Sequence, residues 1–340
     1  MTRRAAPASS FPVTKAMTSN DWQLVGDIGG TNARFGAARP NGEDPEHIAT
    51  YQVADFPTFG DVLDQLMKDT AERGLLPANA KKACLAVAAM PDQPVVSFTN
   101  SPWQFTTSLI QERTQIQQVT IINDFAAVAR GLPKLGAASL IRIGGGEIKA
   151  GFPKLAIGPG TGLGVAALVN CPNGSPLVIS GEGGHVDFAP VTDTEAQVLK
   201  VLRGRFGRVS IERLCCGHGI LNIYEALCQY RGEQPVYTNA ASVGSAAQGE
   251  GDSLAQETLS MFFAILGAAA GNFALTFGAR GGVYIAGGIA PRYIDILRRS
   301  DFRARFLAKG RFADYLAEIP TFIITHPSIG LVGAALSLED

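Results

Sequence analysis

One device occurs twice in this chain, and it constrains the fold more than any other feature. Residues 24–37, LVGDIGGTNARFGA, and residues 155–168, LAIGPGTGLGVAAL, each set strand-forming apolar residues on both sides of a glycine turn. Each reads as a hairpin with a tip of bare backbone, and glycine at such a tip lets successive N–H groups converge on an anion. In the first tip Asp27 stands at a strand end, Gly29 and Gly30 leave the turn open, and Thr31 and Asn32 add a hydroxyl and an amide. A carboxylate in that place can hold water on a magnesium ion beside a nucleotide's phosphates. The same residues also suit an ordinary Gly-Gly hairpin in which Asp27 and Asn32 make turn hydrogen bonds. The second tip, residues 158–164, GPGTGLG, offers Gly160, Thr161 and Gly162 to a triphosphate tail. It lacks the GK[ST] of a Walker A loop and is not the GxGxxG of a dinucleotide fold. One phosphate-type hairpin in each half predicts a nucleotide held between two domains.

The rest of the pattern is α/β. After the first hairpin come a strand at 48–53 and a helix at 59–71, where Phe59, Val62, Leu63, Leu66 and Met67 recur at helical spacing. Strands at 82–89, 95–98 and 118–122 and a helix from 125 complete the first half. Helices at 194–205, 219–230, 258–279 and 292–309, strands at 282–286 and 321–325, and a closing helix at 330–338 are expected in the second. Strands followed by helices predict sheets covered by helices. We expect a domain over 22–133, a second over 134–325, a last helix (326–340) returning to the first, and a ligand cleft between them. Residues 1–21 carry no hydrophobic region of a secretory signal; they read as a disordered extension, although a basic, acid-poor start also fits a transit peptide.

Composition narrows the partners. With 46% hydrophobic and 17% charged residues over 340 positions, the chain can bury two cores. A net charge of −1 gives no electrostatic reason to expect nucleic acid or an anionic membrane surface, so a small molecule is the expected partner. Five cysteines with no CxxC pair imply neither a disulfide framework nor a zinc site, and a reducing cytoplasm fits them. The uncharged run at 258–279 nearly reaches membrane-spanning length, but three glycines, Asn272 and nearby acidic residues favour a core helix, with Gly267 and Gly271 permitting close packing.

Further residues bear on chemistry. A third glycine cluster, residues 281–288, GGVYIAGG, ends a buried strand where Gly287 and Gly288 can admit a flat adenine ring, or simply turn the chain into a helix. Asn123 and Asp124 follow the strand VTII, at the carboxyl end where open α/β sheets place ligand-binding groups. A sugar hydroxyl is a poor nucleophile that benefits from a carboxylate accepting its proton. Asp124 equally suits an N-cap for a helix starting at Phe125.

Taken in order, LVGDIGGTNARFG, TIINDFAAVARGLP, AIGPGTGLG, SGEGGHVDFAP, IERLCCGHG and GGVYIAGGI resemble the bacterial glucokinase family from about residue 23 to the C-terminus. The resemblance implies the two-domain hexokinase/actin-like fold, a duplicated ribonuclease H-like α/β architecture, with ATP, magnesium, a hexose acceptor and a homodimer. It implies Asp124 as base, Asn123 on a sugar hydroxyl, and Asn100, Glu182, His185 and Glu212 as further sugar contacts; neutral histidine and carboxylates supply the donors and acceptors that hydroxyls need. The CCGHG run, with Cys215, Cys216 and His218, departs from relatives that carry a small residue or proline. It reads as a variant helix-entry turn, or as a changed edge of the sugar site. The cysteine-rich zinc motif of the related ROK family is missing. Three other functions share these features: a sugar-sensing regulator, which would need a helix-turn-helix that the segment before the first strand is expected to be too short to hold; an actin-like ATPase without a sugar; and a kinase for another hexose.

Overall fold

The computed structural model describes residues 21–39, 44–98, 101–171, 174–249 and 251–339. Asn100 and residues 1–20 of the expected extension lie outside the described residues, whereas Asp21 is buried and its carboxylate lies 3.5 Å from the Lys81 ammonium. The first half runs β1 (Trp22–Ile28), β2 (Asn32–Ala38), β3 (Glu46–Gln52), α1 (Phe59–Glu72), β4 (Ala80–Val87), a ribbon of β5 (Val96–Ser97) and β6 (Gln104–Phe105), α2 (Thr107–Thr114), β7 (Gln118–Asn123) and α3 (Asp124–Gly131). The second begins β8 (Leu140–Gly144), β9 (Lys154–Pro159), β10 (Leu163–Val169), β11 (Leu177–Gly181), α4 (Asp193–Phe206), α5 (Gly217–Arg231), α6 (Ala240–Ala246) and α7 (Ser253–Phe277). It ends β12 (Val283–Ile285), α8 (Ile289–Arg292), α9 (Ile294–Arg299), α10 (Phe302–Leu307), α11 (Ala313–Ala317), β13 (Thr321–Ile324) and α12 (Ile329–Leu336).

The repeated hairpin marks a repeated sheet. One sheet has the order β3-β2-β1-β4-β7 and the other β11-β10-β9-β12-β13, with β8 added at its far edge. In both, the second strand is antiparallel to its two neighbours, and the fourth and fifth run parallel to the first. The two glycine tips therefore occupy equivalent places, at the carboxyl ends of β1 and β9.

Helices fill the faces for local reasons. Helix α1 starts at Thr58, whose hydroxyl accepts from the Asp61 N–H while the Asp61 carboxylate accepts from the Thr58 N–H. Its buried residues Phe59, Val62, Leu63 and Leu66 repeat at helical spacing, and the Phe59 ring stacks on Phe105 at 4.1 Å. Helix α7 is a core helix, its most apolar stretch 72% buried. An added Cβ at Gly267 would stand 2.1 Å from the Phe302 carbonyl, and one at Gly271 2.5 Å from that of Phe306. The small residues thus let α10 cross α7 backbone against backbone while Phe302 and Phe306 bury fully. That crossing also corrects the expected single helix at 292–309, which is two short ones, α9 and α10. Ser300 takes an extended conformation (φ −76°, ψ 170°) and its hydroxyl accepts from the Phe302 N–H, ending α9 and starting α10 in a new direction.

Two helices change sides. Helix α3, from the first half, and the turn that follows it pack Val128, Ala129 and Leu132 with Ala156, Ala166 and Leu168 of the second sheet. Helix α12 packs Leu331 and Ala334, with Leu338 just beyond it, against Val25, Ala38 and Cys84 of the first. They cross closely because Gly333 is bare: a Cβ there would meet the Ala127 carbonyl at 1.7 Å. The carboxyl ends of β1 and β7, the starts of α3 and α12, and the β9–β10 tip are thereby held in one neighbourhood.

Candidate active site

At the first tip the Gly29 N–H donates to the Asn32 carbonyl at 2.9 Å and closes the turn. The Asn32 side-chain oxygen accepts from Gln52 Nε2 at 2.7 Å, so this amide ties β2 to β3 and keeps its nitrogen to offer. Thr31 is exposed at the tip. Asp27 lies opposite Arg34 across the β1–β2 ladder, and Arg34 Nη1 approaches Asp27 Oδ2 at 3.5 Å. Burial raises the Asp27 carboxyl above its ordinary range, and Arg34 opposes it. The start of α12 faces the same carboxyl: a Cβ on Gly330 would stand 2.9 Å from Asp27 Cγ, and the positive end of that helix favours the anion.

The second tip is packed from below by a ring. Gly158 and Gly164 are register partners across β9 and β10. Phe125 covers both, since an added Cβ would meet its ring at 2.8 Å from Gly158 and 1.8 Å from Gly164. The Gly160 N–H donates to the Gly162 carbonyl at 2.8 Å, and the Gly160 carbonyl accepts from the Gly217 N–H at the head of α5, also at 2.8 Å. Gly287 and Gly288 follow β12 on the neighbouring strand. Gly287 has φ +86° and would press a Cβ to 2.5 Å from the Pro159 carbonyl, and Gly288 opens on free space. Of the third glycine cluster only this second pair joins the site, because Gly281 and Gly282 stand at the opposite end of β12.

Asp124 is the first residue of α3, and the cap of that helix is Asn123. The Asn123 side-chain oxygen accepts from the N–H groups of Phe125 (2.9 Å) and Ala126 (3.1 Å). Asp124 Oδ1 accepts from the Phe125 N–H at 2.9 Å. The alternative reading of Asp124 as the cap is thus corrected: the residue before it does that work, and the second Asp124 oxygen is free for a ligand. Capping also commits the oxygen of Asn123, leaving its NH₂ as the donor it can offer. Burial pushes the Asp124 carboxyl up to about 7, helped by the negative charges of Asp27 and Glu182 and opposed by the Phe125 N–H. Carboxylates from β1, from the start of α3 and from beyond β11 therefore share one electrostatic neighbourhood.

Glu182 and His185 frame a single 3-10 turn, Gly183–His185, that follows β11, and both side chains are exposed. Glu212 lies in another, Ile211–Arg213, next to it. His185 Nε2 is 3.8 Å from Glu212 Oε1, and Glu212 Oε2 accepts from the Leu163 N–H at 2.9 Å. The CCGHG run is the entry to α5: Cys216 is its N-cap, with Sγ accepting from the Gly219 N–H at 3.3 Å. Cys215 and Cys216 are buried, so the departure alters how α5 begins, and only His218 reaches the surface. Among the described residues no group of three or more His, Cys, Asp or Glu side chains is placed to hold a metal by itself.

Arg34, Phe125, Gly217 and Gly330 also shape the site, although no binding or catalytic role is assigned to them from the sequence. Arg34 was legible once the turn at residues 29–32 was assumed, because hairpin register then sets it opposite Asp27. The other three come from the crossed helices and the α5 entry, which no local pattern announces.

The family model described as Glucokinase matches residues 24–340. A glucokinase of Hahella chejuensis is 42% identical over 325 residues, covering 95% of this chain and 99% of that protein. The crystal structure of a glucokinase from an Antarctic psychrotroph superposes with a TM-score of 0.79 at 35% identity, covering 94% of this chain and 99% of that one. A glucokinase of Balamuthia mandrillaris, crystallised with glucose, shares the fold at a TM-score of 0.80 and 22% identity over 94% of each chain. Matched over nearly its whole described length, and carrying the crossed helices and paired glycine tips set out above, the chain belongs to the glucokinase family.

Proposed function

We propose that this chain transfers the terminal phosphoryl group of ATP to the 6-hydroxyl of glucose, giving glucose 6-phosphate and ADP, with Asp124 as the base. The observation that carries the assignment is the Asp124 carboxyl, set at the head of α3 between the two glycine tips and pushed up to about 7. A base poised there is ionised over much of the neutral range yet basic enough to take an alcohol proton. The 6-hydroxyl proton passes to the free Asp124 oxygen as its oxygen bonds the terminal phosphorus, and the bond from that phosphorus to the oxygen bridging to ADP breaks in line. Most of the catalysis in such a transfer is positioning and charge stabilisation. The open backbone at Gly29 and Gly30 and at Gly160 and Gly162, with the Thr31 and Thr161 hydroxyls and the Asn32 amide, cradles the phosphates. Gly287 and Gly288 leave room for the adenine.

Magnesium fits this donor set, because the ion keeps several waters and takes one or two carboxylates beside substrate phosphates. Asp27 would hold it through water, and the ion would neutralise charge on the transferring group. The Asn123 NH₂, Glu182, His185 and Glu212, with Asn100, bind the sugar hydroxyls. We place the enzyme in the cytoplasm as a homodimer, in keeping with the free state of all five cysteines and with the family resemblance. A coupled assay with magnesium ATP and a panel of hexoses tests the proposal. Preferential turnover of glucose is the expected result; sugar-independent ATP hydrolysis would establish a plain ATPase, and binding without turnover a sensor.

A further inference from the structure

Both substrate sites touch one carboxylate. Glu212 Oε2 accepts the Leu163 N–H at 2.9 Å, which pins the end of the second glycine tip. Gly162 is bare where it passes this group, as a Cβ there would stand 2.5 Å from Glu212 Oε2. The other end of the tip is held by the same segment of chain, through the Gly217 N–H on the Gly160 carbonyl at 2.8 Å. Glu212 Oε1 faces the opposite way, 3.8 Å from His185 Nε2, which is beyond hydrogen-bond reach. In the free protein one oxygen is thus engaged with the phosphate tip and the other awaits a donor on the sugar side.

We propose that Glu212 is a positioning residue that couples the sugar and nucleotide sites, holding the 160–163 tip in its phosphate-binding shape when a sugar hydroxyl engages its second oxygen. This rests on the sugar-kinase reading given above. A hydroxyl donated to Oε1 fixes the carboxylate plane, and that plane sets the Leu163 N–H contact and with it the direction of the adjoining Gly162 N–H. His185 faces the sugar without reaching the tip, so it contributes to affinity and not to coupling. Coupling of this kind is reciprocal: sugar must tighten nucleotide by the same factor as nucleotide tightens sugar.

The test is calorimetric binding of glucose and of a non-hydrolysable ATP analogue with magnesium, each alone and each in the presence of the other. In the native protein glucose should tighten the analogue by about 5-fold or more, the lower range of ordinary coupling. Glu212→Gln should bring that factor to within about twofold of unity. Gly162→Ala, which pushes the carboxylate from the tip side, should do the same if the first variant fails to bind glucose. His185→Gln should weaken glucose and keep the factor. A native factor of one, or a factor that survives both Glu212→Gln and Gly162→Ala, overturns the coupling and leaves the kinase reading standing. Equal loss in His185→Gln also overturns it, because any sugar contact would then suffice. A native protein that binds no hexose would instead sink the kinase reading itself.

Discussion

Gly164→Ala probes how Asp124 is held. The backbone of β10 accepts alanine, so the whole effect comes from the added methyl, which would stand 1.8 Å from Phe125 Cδ2 and 2.1 and 2.3 Å from two neighbouring ring atoms. Ordinary contact begins at 3.4 Å, so the ring must retreat by about 1.6 Å. It has little freedom to slide along the strand pair, since the Gly158 side is already close. Overpacking of this kind costs about 1–3 kcal/mol. Phe125 is the residue after Asp124, so the Asp124 carboxylate moves with the ring, and a misplacement near 1 Å of a proposed base can lower turnover about 10²-fold. Urea unfolding and a glucose 6-phosphate-coupled assay read the two effects. The Phe125→Ala/Gly164→Ala double variant should be less destabilised than the two singles added together, by about 1–3 kcal/mol, because the methyl then enters space the ring has left. A Gly164→Ala protein within ~0.5 kcal/mol of native stability and with native turnover would refute the ring-over-glycine anchor.

Two further outcomes follow from the same structure. The rate at limiting substrate should rise with pH and level off above about 7, because the protonated Asp124 carboxyl cannot accept a proton; Glu182→Gln removes one of the charges raising it and should move that limb to lower pH, whereas a limb that stays or moves up would contradict the shared electrostatics. Arg305 and Glu195 form a two-bonded ion pair (2.5 and 3.1 Å) in which Glu195 is 2% exposed, so Arg305→Met should cost about 3–5 kcal/mol in urea unfolding by stranding a buried carboxylate, and a neutral result would mean that water reaches it.

The parts of the fold legible in the sequence are those fixed by short-range chemistry. The first glycine tip, the Phe59–Leu66 face of α1 and the uncharged α7 announce themselves through turn residues and period. Even the doubling of the sheet was visible in the second hairpin, at low identity, because a strand–glycine–strand device survives drift in its apolar residues. What stayed hidden depends on tertiary contact. Strands β8 and β11 are sheet edges with exposed positions and were not expected at all. The break at Ser300 follows from the α7 crossing. At the site, family resemblance pointed to Asp124 as the base, while its place at a helix start suggested a cap; the Asn123 hydrogen bonds give the cap to Asn123. The link of Glu212 to the tip is also unreadable in sequence, as 49 positions separate it from Leu163.

The most direct measurement of the central claim is the phosphoryl-transfer rate of Asp124→Asn with ATP and glucose both saturating, taken beside its glucose affinity. A positioned base accounts for about 10²–10⁴ in rate, so turnover should fall by that much while the sugar still binds within about threefold of native affinity. Turnover near the native value would contradict the assignment, because proton acceptance would then belong to another group.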